Sequence, residues 1–155
     1  MKETGLNDAT IIGVYIFYNL VYAVVAYPVG ILADKIGLKR ILLSGLMLFS
    51  IVYAGFAFTH SILIYYLLFA LYGLYAAATE SISKAWITNL VDKTETATAI
   101  GTYTGLQSIA ALIASSLTGL LWYNFGALPT FLITAGVSLG VVYYLSKIPF
   151  VYEGN

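Results

Sequence analysis

The stretch Gly30-Ile-Leu-Ala-Asp-Lys-Ile-Gly-Leu-Lys-Arg40 decides the fold, because it places four charged residues and two glycines between two long apolar runs. Gly37 can adopt a positive φ at no steric cost, which predicts a tight turn. Gly30 is expected to let the end of the first helix approach a neighbour closely, and Asp34 is the single carboxylate of the stretch. The three basic residues favour the cytoplasmic side of a membrane. The stretch therefore predicts a short cytoplasmic turn between two membrane helices.

The composition of the chain indicates an integral membrane protein. Hydrophobic residues make up 61% of its 155 positions and charged residues only 9%, whereas soluble domains carry about 25% charged residues. The net charge of zero argues against nucleic acid as a partner and leaves the lipid bilayer as the predicted one. The chain has no cysteine, and we find no metal-ligand cluster, nucleophile triad or phosphate loop in the sequence. We predict no metal, no cofactor and no enzymatic activity.

Five apolar runs follow one another along the chain, each long enough to cross about 30 Å of hydrocarbon at about 1.5 Å per residue. The predicted fold class is therefore all-α, a polytopic transmembrane helix bundle, forming a single domain over residues 1–155. We place the spans at about residues 9–33, 41–58, 62–90, 97–122 and 127–145.

The distribution of basic residues predicts the orientation in the membrane. Five spans place the two termini on opposite sides, and one side carries six basic residues against a single one, Lys2, on the other. The positive-inside rule makes the richer side cytoplasmic, with the N-terminus outside and the C-terminus in the cytoplasm. We expect a multi-pass protein of the plasma or inner membrane. The six are Lys35, Lys39, Arg40, Lys84, Lys93 and Lys147.

The turn resembles the signature loop of the major facilitator superfamily of secondary transporters, Gly-x-Leu-Ala-Asp-Lys-x-Gly-x-Lys-Arg, although Leu38 stands where a basic residue is common. The resemblance implies a partial fold of that family, and segments 72–85 and 98–103 favour helices eight to twelve of its later half. It also implies a small solute moved by alternating access, protons or another coupling ion, and a missing transporter half or self-association as partner. The residues it assigns to the cytoplasmic gate and signature loop are Gly30, Asp34, Lys35, Gly37, Lys39 and Arg40.

Asp34 has two interpretations. In the resembled family the corresponding aspartate helps to hold the cytoplasmic side closed, and the fourth span begins on the same side with the positive end of its helix dipole. Alternatively, Asp34 is only a solvent-exposed polar residue of the turn. We favour the first interpretation, a latch.

Glu80 and Lys84 form an ionisable pair inside the third apolar run. Their spacing places them on one helix face, and such charges normally face protein or water rather than lipid. Glu80 is expected about 27 Å along the span, near the level of Asp34. The pair can be a structural charge network at the gate, which we favour, or Glu80 can be a carboxylate that couples transport to protons.

Polar side chains within the spans are candidates for a central cavity. The candidates are Tyr15, Asn19, Tyr22, Tyr72 and Gln107. Buried polar side chains can equally hold helices together, so both interpretations remain open. The fourth span also carries small residues at steps of three and four, including Gly101, Gly105 and Gly119. We expect that small face to pack within the bundle.

Two functions are consistent with these patterns. The first is part of a secondary active transporter that moves a small solute, coupled to an ion gradient. The alternative is a small integral membrane protein that does not transport, or a remnant of a truncated transporter.

Overall fold

The computed structural model describes residues 8–59 and 61–148, and every regular element within them is an α-helix. The predictions of an all-α fold and of five membrane-spanning helices are confirmed. Lys2, which entered the count of basic residues, lies outside the described residues. The helices are α1 (Asp8–Ile36), α2 (Leu38–Phe58), α3 (Ile62–Leu90), α4 (Thr96–Phe125) and α5 (Ala127–Lys147).

All five helices are long and apolar enough to cross a membrane. The shortest, α2 and α5, have 21 residues each and therefore rise about 32 Å, which matches about 30 Å of hydrocarbon. α1 continues through Pro28 to Ile36, as membrane helices can when neighbouring groups satisfy the freed carbonyl. Large apolar side chains remain exposed on every helix, because lipid solvates them. The chain is a multi-pass membrane protein.

α3 occupies the centre of the bundle, since it packs along α1 and also along α2. α2 packs along α5 as well, while α4 makes only limited contacts with α5 and α3. Helices that cross a membrane in succession alternate in direction. The turn at Gly37, the loop at residues 91–95 and the end of α5 therefore share one end of the bundle, called the turn end below.

The apolar core at the turn end joins α1, α2 and α3 through small and branched side chains. Its buried members are Val29 and Ala33 of α1, Ile41 of α2, and Ala78 and Ile82 of α3. Lipid tails are as apolar as these side chains, so close packing rather than hydrophobic transfer holds membrane helices together. This core therefore fixes the two helices of the turn against α3.

Aromatic rings fill the interface of α2 with α3 and α5. Between ring centroids, Phe49 lies 4.1 Å from Tyr53 and 4.7 Å from Tyr75. Tyr53 in turn lies 6.4 Å from Tyr72 and 5.8 Å from Phe131 of α5. Such pairs contribute about 0.5 to 1.5 kcal/mol each beyond their buried area. The rings therefore stabilise the arrangement of these three helices around α2.

α4 differs from the other helices because none of its residues is buried. A Cβ added at Gly101, Gly105 or Gly119 would meet no atom within 4 Å. The prediction that the small face of α4 packs within the bundle is therefore wrong for this chain. The physical reason is that α3 and α5 contact α4 over short stretches only. The small face is left open to lipid or to another protein segment.

Gly73 allows α3 to approach α1 closely. An added Cβ would lie 3.0 Å from the carbonyl oxygen of Tyr18 and 3.2 Å from the Cβ of Val21. We expect Gly73→Ala to lower the free energy of unfolding by about 1 to 3 kcal/mol, because the backbone must shift. Gly101→Ala is the matched control, since its Cβ meets no atom and alanine favours a helix by about 1 kcal/mol. Unfolding in detergent micelles measures the stability of both variants. Equal free energies of unfolding for the two variants would contradict the close approach of α3 to α1 at Gly73.

Candidate functional site

The turn between α1 and α2 depends on a single glycine. Gly37 adopts φ of 97°, a left-handed value that disfavours any residue with a Cβ. Its N–H donates to the carbonyl oxygen of Ala33 at 2.9 Å, and its own carbonyl accepts from the N–H of Ile41 at 3.4 Å. α2 begins at the next residue, Leu38. The chain therefore reverses within one residue and holds the charges of the turn close together.

Lys39 connects this turn to the C-terminal end of α5. Its Nζ donates to the carbonyl oxygen of Ile148 at 2.7 Å and to that of Ser146 at 3.4 Å. The last carbonyls of a helix lack partners within the helix and carry partial negative charge, so an ammonium group there satisfies both needs. Lys39 therefore caps α5, a role that sequence reasoning did not identify.

The other charges of the turn are exposed. Asp34, Lys35 and Arg40 all lie at the surface of the turn end. Within residues 8–59 and 61–148, no hydrogen bond or ion pair connects their side chains to another residue. The latch between Asp34 and the start of α4 therefore remains a prediction.

Gly30 does not serve the close helix approach that we expected. A Cβ added there would meet no atom within 4 Å. Close approach occurs at Gly73 and at Gly45 instead, where an added Cβ would lie 3.0 Å from the Cβ of Ala78. The glycines that bring helices together are therefore in α2 and α3, where these helices pack on their neighbours, and not in the turn.

Glu80 of α3 and Tyr22 of α1 are in contact. The sequence predicted Glu80 as part of a charge pair and Tyr22 as a cavity residue. The Tyr22 Oη donates to Glu80 Oε2 at 3.2 Å. The Glu80 side chain is exposed within a helix long enough to span the membrane. A carboxylate at such a position is costly unless it faces protein or water. Here it faces a tyrosine hydroxyl on one side and a cavity on the other.

The cavity beside Glu80 has a volume of about 170 Å³ and lies between α3 and α4. Its lining residues are Glu80 and Lys84 of α3 with Tyr103 and Gln107 of α4. The members of each pair are four residues apart, which places them on one face of their helix. No ion pair joins Glu80 to Lys84, and the Lys84 ammonium donates no hydrogen bond to any residue that the structure describes. The cavity can therefore offer both charges, a phenol and an amide to a polar solute.

Three of the predicted cavity residues lie elsewhere. Tyr15 and Asn19 are exposed on α1, and Asn19 Nδ2 donates to the carbonyl oxygen of Tyr15 at 2.8 Å within the same helix. Tyr72 belongs to the aromatic interface, where its ring centroid lies 6.4 Å from that of Tyr53 and 5.3 Å from that of Tyr18. The Asn19 bond lies within α1 and the Tyr72 contacts join aromatic rings, and none of the three residues lines the cavity.

Tyr103 is the lining residue that sequence reasoning missed. It lies four residues before Gln107, so the helical period could have identified it as a neighbour on the same face. The chain has 14 tyrosines, so the residue type alone does not identify which of them lines the cavity.

Glu80 and Asp34 do not share a level in the bundle, contrary to the expectation from the sequence. α1 and α3 run parallel, and Gly73 contacts Val21. Asp34 follows Val21 by thirteen residues and Glu80 follows Gly73 by seven, so Asp34 lies about 9 Å further toward the turn end. α3 has 29 residues and rises about 44 Å, more than the hydrocarbon thickness. Distance along α3 therefore does not equal depth in the membrane.

Two comparisons with known proteins gave a match. The sequence model of the family described as Major Facilitator Superfamily matches residues 1–152. The chain is also 40% identical over 111 residues to a curated relative, the uncharacterized MFS-type transporter MJ1317 of Methanocaldococcus jannaschii. The aligned region covers 72% of this chain and 28% of that relative, so the chain spans only part of the relative's length. No solved structure matches the chain significantly.

Proposed function

Because the chain belongs to the Major Facilitator Superfamily of membrane transporters, we propose that it forms part of a secondary active transporter that moves a small solute by alternating access. One observation carries the proposal, the polar and partly open cavity that Glu80, Lys84, Tyr103 and Gln107 line between two apolar membrane helices. Ionisable groups within membrane helices mark solute and ion pathways. Glu80 is the proposed coupling or solute-binding carboxylate, and the proposal assigns no enzymatic chemistry to the chain.

In this proposal the chain supplies helices eight to twelve, and a facing half completes the pathway. The open small face of α4 supports a facing segment, because small residues allow membrane helices to approach closely. The same face also fits the second candidate, a small membrane protein or transporter remnant that self-associates without transport.

Single cysteines test the cavity, because the native chain has none. We expect the thiol of Gln107→Cys to react with a water-soluble maleimide, since residue 107 lines the polar cavity. Ile109→Cys is the matched control on the same helix, because its exposed side chain lies about 200° around α4 from residue 107 and meets lipid. Equal labelling of the two thiols would contradict a cavity that water enters.

The same approach tests the orientation that we propose, with the N-terminus outside the cell membrane. Leu38→Cys should react with an impermeant reagent only from the cytoplasmic side, and Asn124→Cys only from outside. The support is the excess of basic residues at the turn end. Labelling of the residue 38 thiol in intact cells would reverse the orientation.

We also propose that Asp34 is a latch that holds the cytoplasmic side closed by facing the positive N-terminal end of α4 in one state. Asp34 is exposed at the end where α4 begins, and a carboxylate near a helix N-terminus is favoured by about 0.3 to 1 kcal/mol. In a complete transporter, Asp34→Asn should favour the inward-open state and lower turnover more than binding. Spin-label distances across the cytoplasmic ends measure this shift. A distance distribution equal to that of the native transporter would leave Asp34 as a turn residue.

A further inference from the structure

The unpaired charges of Glu80 and Lys84 lie one helical turn apart on α3 and line the same cavity. Opposite charges at this spacing lie close enough to attract each other, with about 5 to 6 Å between their Cβ atoms. In the part of the chain that the structure describes, they nevertheless form no ion pair with each other. Isolated charges are costly in a membrane unless another group or water meets them. Both charges are therefore available to a bound molecule.

We propose that this cavity binds a small zwitterionic solute, with the solute ammonium against Glu80 and its carboxylate against Lys84. The inference rests on the proposed function and names the chemical class of solute. It differs from the interpretation of the pair as a structural network, in which the two side chains would satisfy each other.

The volume of the cavity is sufficient for a small solute. A cavity of about 150 Å³ can hold a molecule the size of benzene, and drug-sized ligands occupy pockets of about 300 to 1,000 Å³. At about 170 Å³ the cavity fits a solute of the size of a small amino acid. Its four lining side chains are all polar or charged, so they offer no pocket for a large apolar substituent.

The surroundings of the two charges supply selectivity. Tyr22 donates a hydrogen bond to one oxygen of Glu80 at 3.2 Å and so helps to position the carboxylate. Gln107 and Tyr103, across the cavity on α4, can each donate or accept a hydrogen bond. A solute with one charge would contact only one of Glu80 and Lys84 through a charge-assisted hydrogen bond, whereas a zwitterion would contact both.

Calorimetric titration of the purified chain in lipid nanodiscs tests the proposal with three molecules of nearly equal size. These are L-alanine, which is zwitterionic, L-alaninamide, which carries only a positive charge, and L-lactate, which carries only a negative one. We expect alanine to bind at least about tenfold more tightly than either analogue, because truncating one partner of a charge pair is costly. The chain itself forms the cavity, so binding requires no further subunit.

Charge-reversal variants separate ligand binding from a structural role. Glu80→Lys leaves two ammonium groups in the cavity and should change the preference to lactate, while Lys84→Glu leaves two carboxylates and should change it to alaninamide. Glu80→Gln and Lys84→Met, which nearly preserve size, should each weaken alanine binding at least about tenfold. Lys93→Met, in the exposed loop, is the control that should change nothing. Helicity measured by circular dichroism confirms that each variant is folded.

The outcomes distinguish this inference from the proposed function. Tighter binding of lactate or alaninamide than of alanine by the native chain would overturn the zwitterion class and leave a solute cavity in place. Alanine affinity that is unchanged in both Glu80→Gln and Lys84→Met would also overturn it. No binding of any of the three molecules, together with an unreactive thiol in Gln107→Cys, would overturn the solute cavity as well.

Discussion

Replacing Glu80 by glutamine should reduce gradient-driven solute uptake at least about tenfold in a complete transporter that contains this segment. Glu80 is the carboxylate that lines the cavity in the described part of the chain. Losing a hydrogen bond to a charged group costs about 1.5 to 3 kcal/mol, and each 1.4 kcal/mol corresponds to a factor of ten. Glutamine keeps nearly the same size, so the loss measures the charge.

Comparing uptake with solute exchange in proteoliposomes separates the roles that the sequence leaves open for Glu80. If Glu80 carries a coupling proton, accumulation should be lost while exchange without a gradient continues. If Glu80 binds the solute, both should be lost. Glu95→Gln, a carboxylate exposed in the loop before α4, is the control. Normal uptake and normal exchange in Glu80→Gln would leave the residue a purely structural role.

The chain by itself should give no solute flux above that of empty liposomes. Alternating access requires two units that rock around a site between them, and α4 has no buried residue along its length. The cavity beside α4 is therefore not enclosed by a second unit of this chain. Reconstitution of the purified chain, with alanine as the radiolabelled solute, measures the flux directly.

Flux from the chain alone that disappears in Glu80→Gln would contradict this expectation. It would show that several copies together form a complete pathway. Cysteine cross-linking at Gly105, on the open face of α4, reports whether copies associate in the same vesicles. Association without flux would instead favour the second candidate, a small membrane protein that does not transport.

The helices and the main turn could be predicted from the sequence because local rules determine them. Backbone groups in lipid must be satisfied within the segment, so a long apolar run such as residues 127–145 can only be helical. Gly37 identifies the reversal between α1 and α2, because few other residues tolerate its φ of 97°.

The contacts that build the candidate site could not be predicted in the same way. Tyr22 and Glu80 are 58 residues apart, and no local pattern records which face of α1 turns toward α3. The small face of α4 shows that close packing is permitted there but not which segment occupies it. Periodicity identifies Gln107 as a polar residue on a helix face, but only the placement of α4 beside α3 puts it near Glu80. The site therefore depends on how helices that are distant in the sequence pack against each other.

The contact between Lys39 and the end of α5 also sets an order of assembly. Lys39 and the carbonyl of Ile148 are 109 residues apart, an interval of roughly 5 to 20 s at the usual rate of protein synthesis. A second bond between the same helices, from the Ser138 hydroxyl to the carbonyl of Leu46, spans 92 residues and forms equally late. The surface of α2 that packs along α5 therefore has no partner until α5 inserts. A chain that stalls before α5 is made therefore leaves this surface of α2 exposed to lipid.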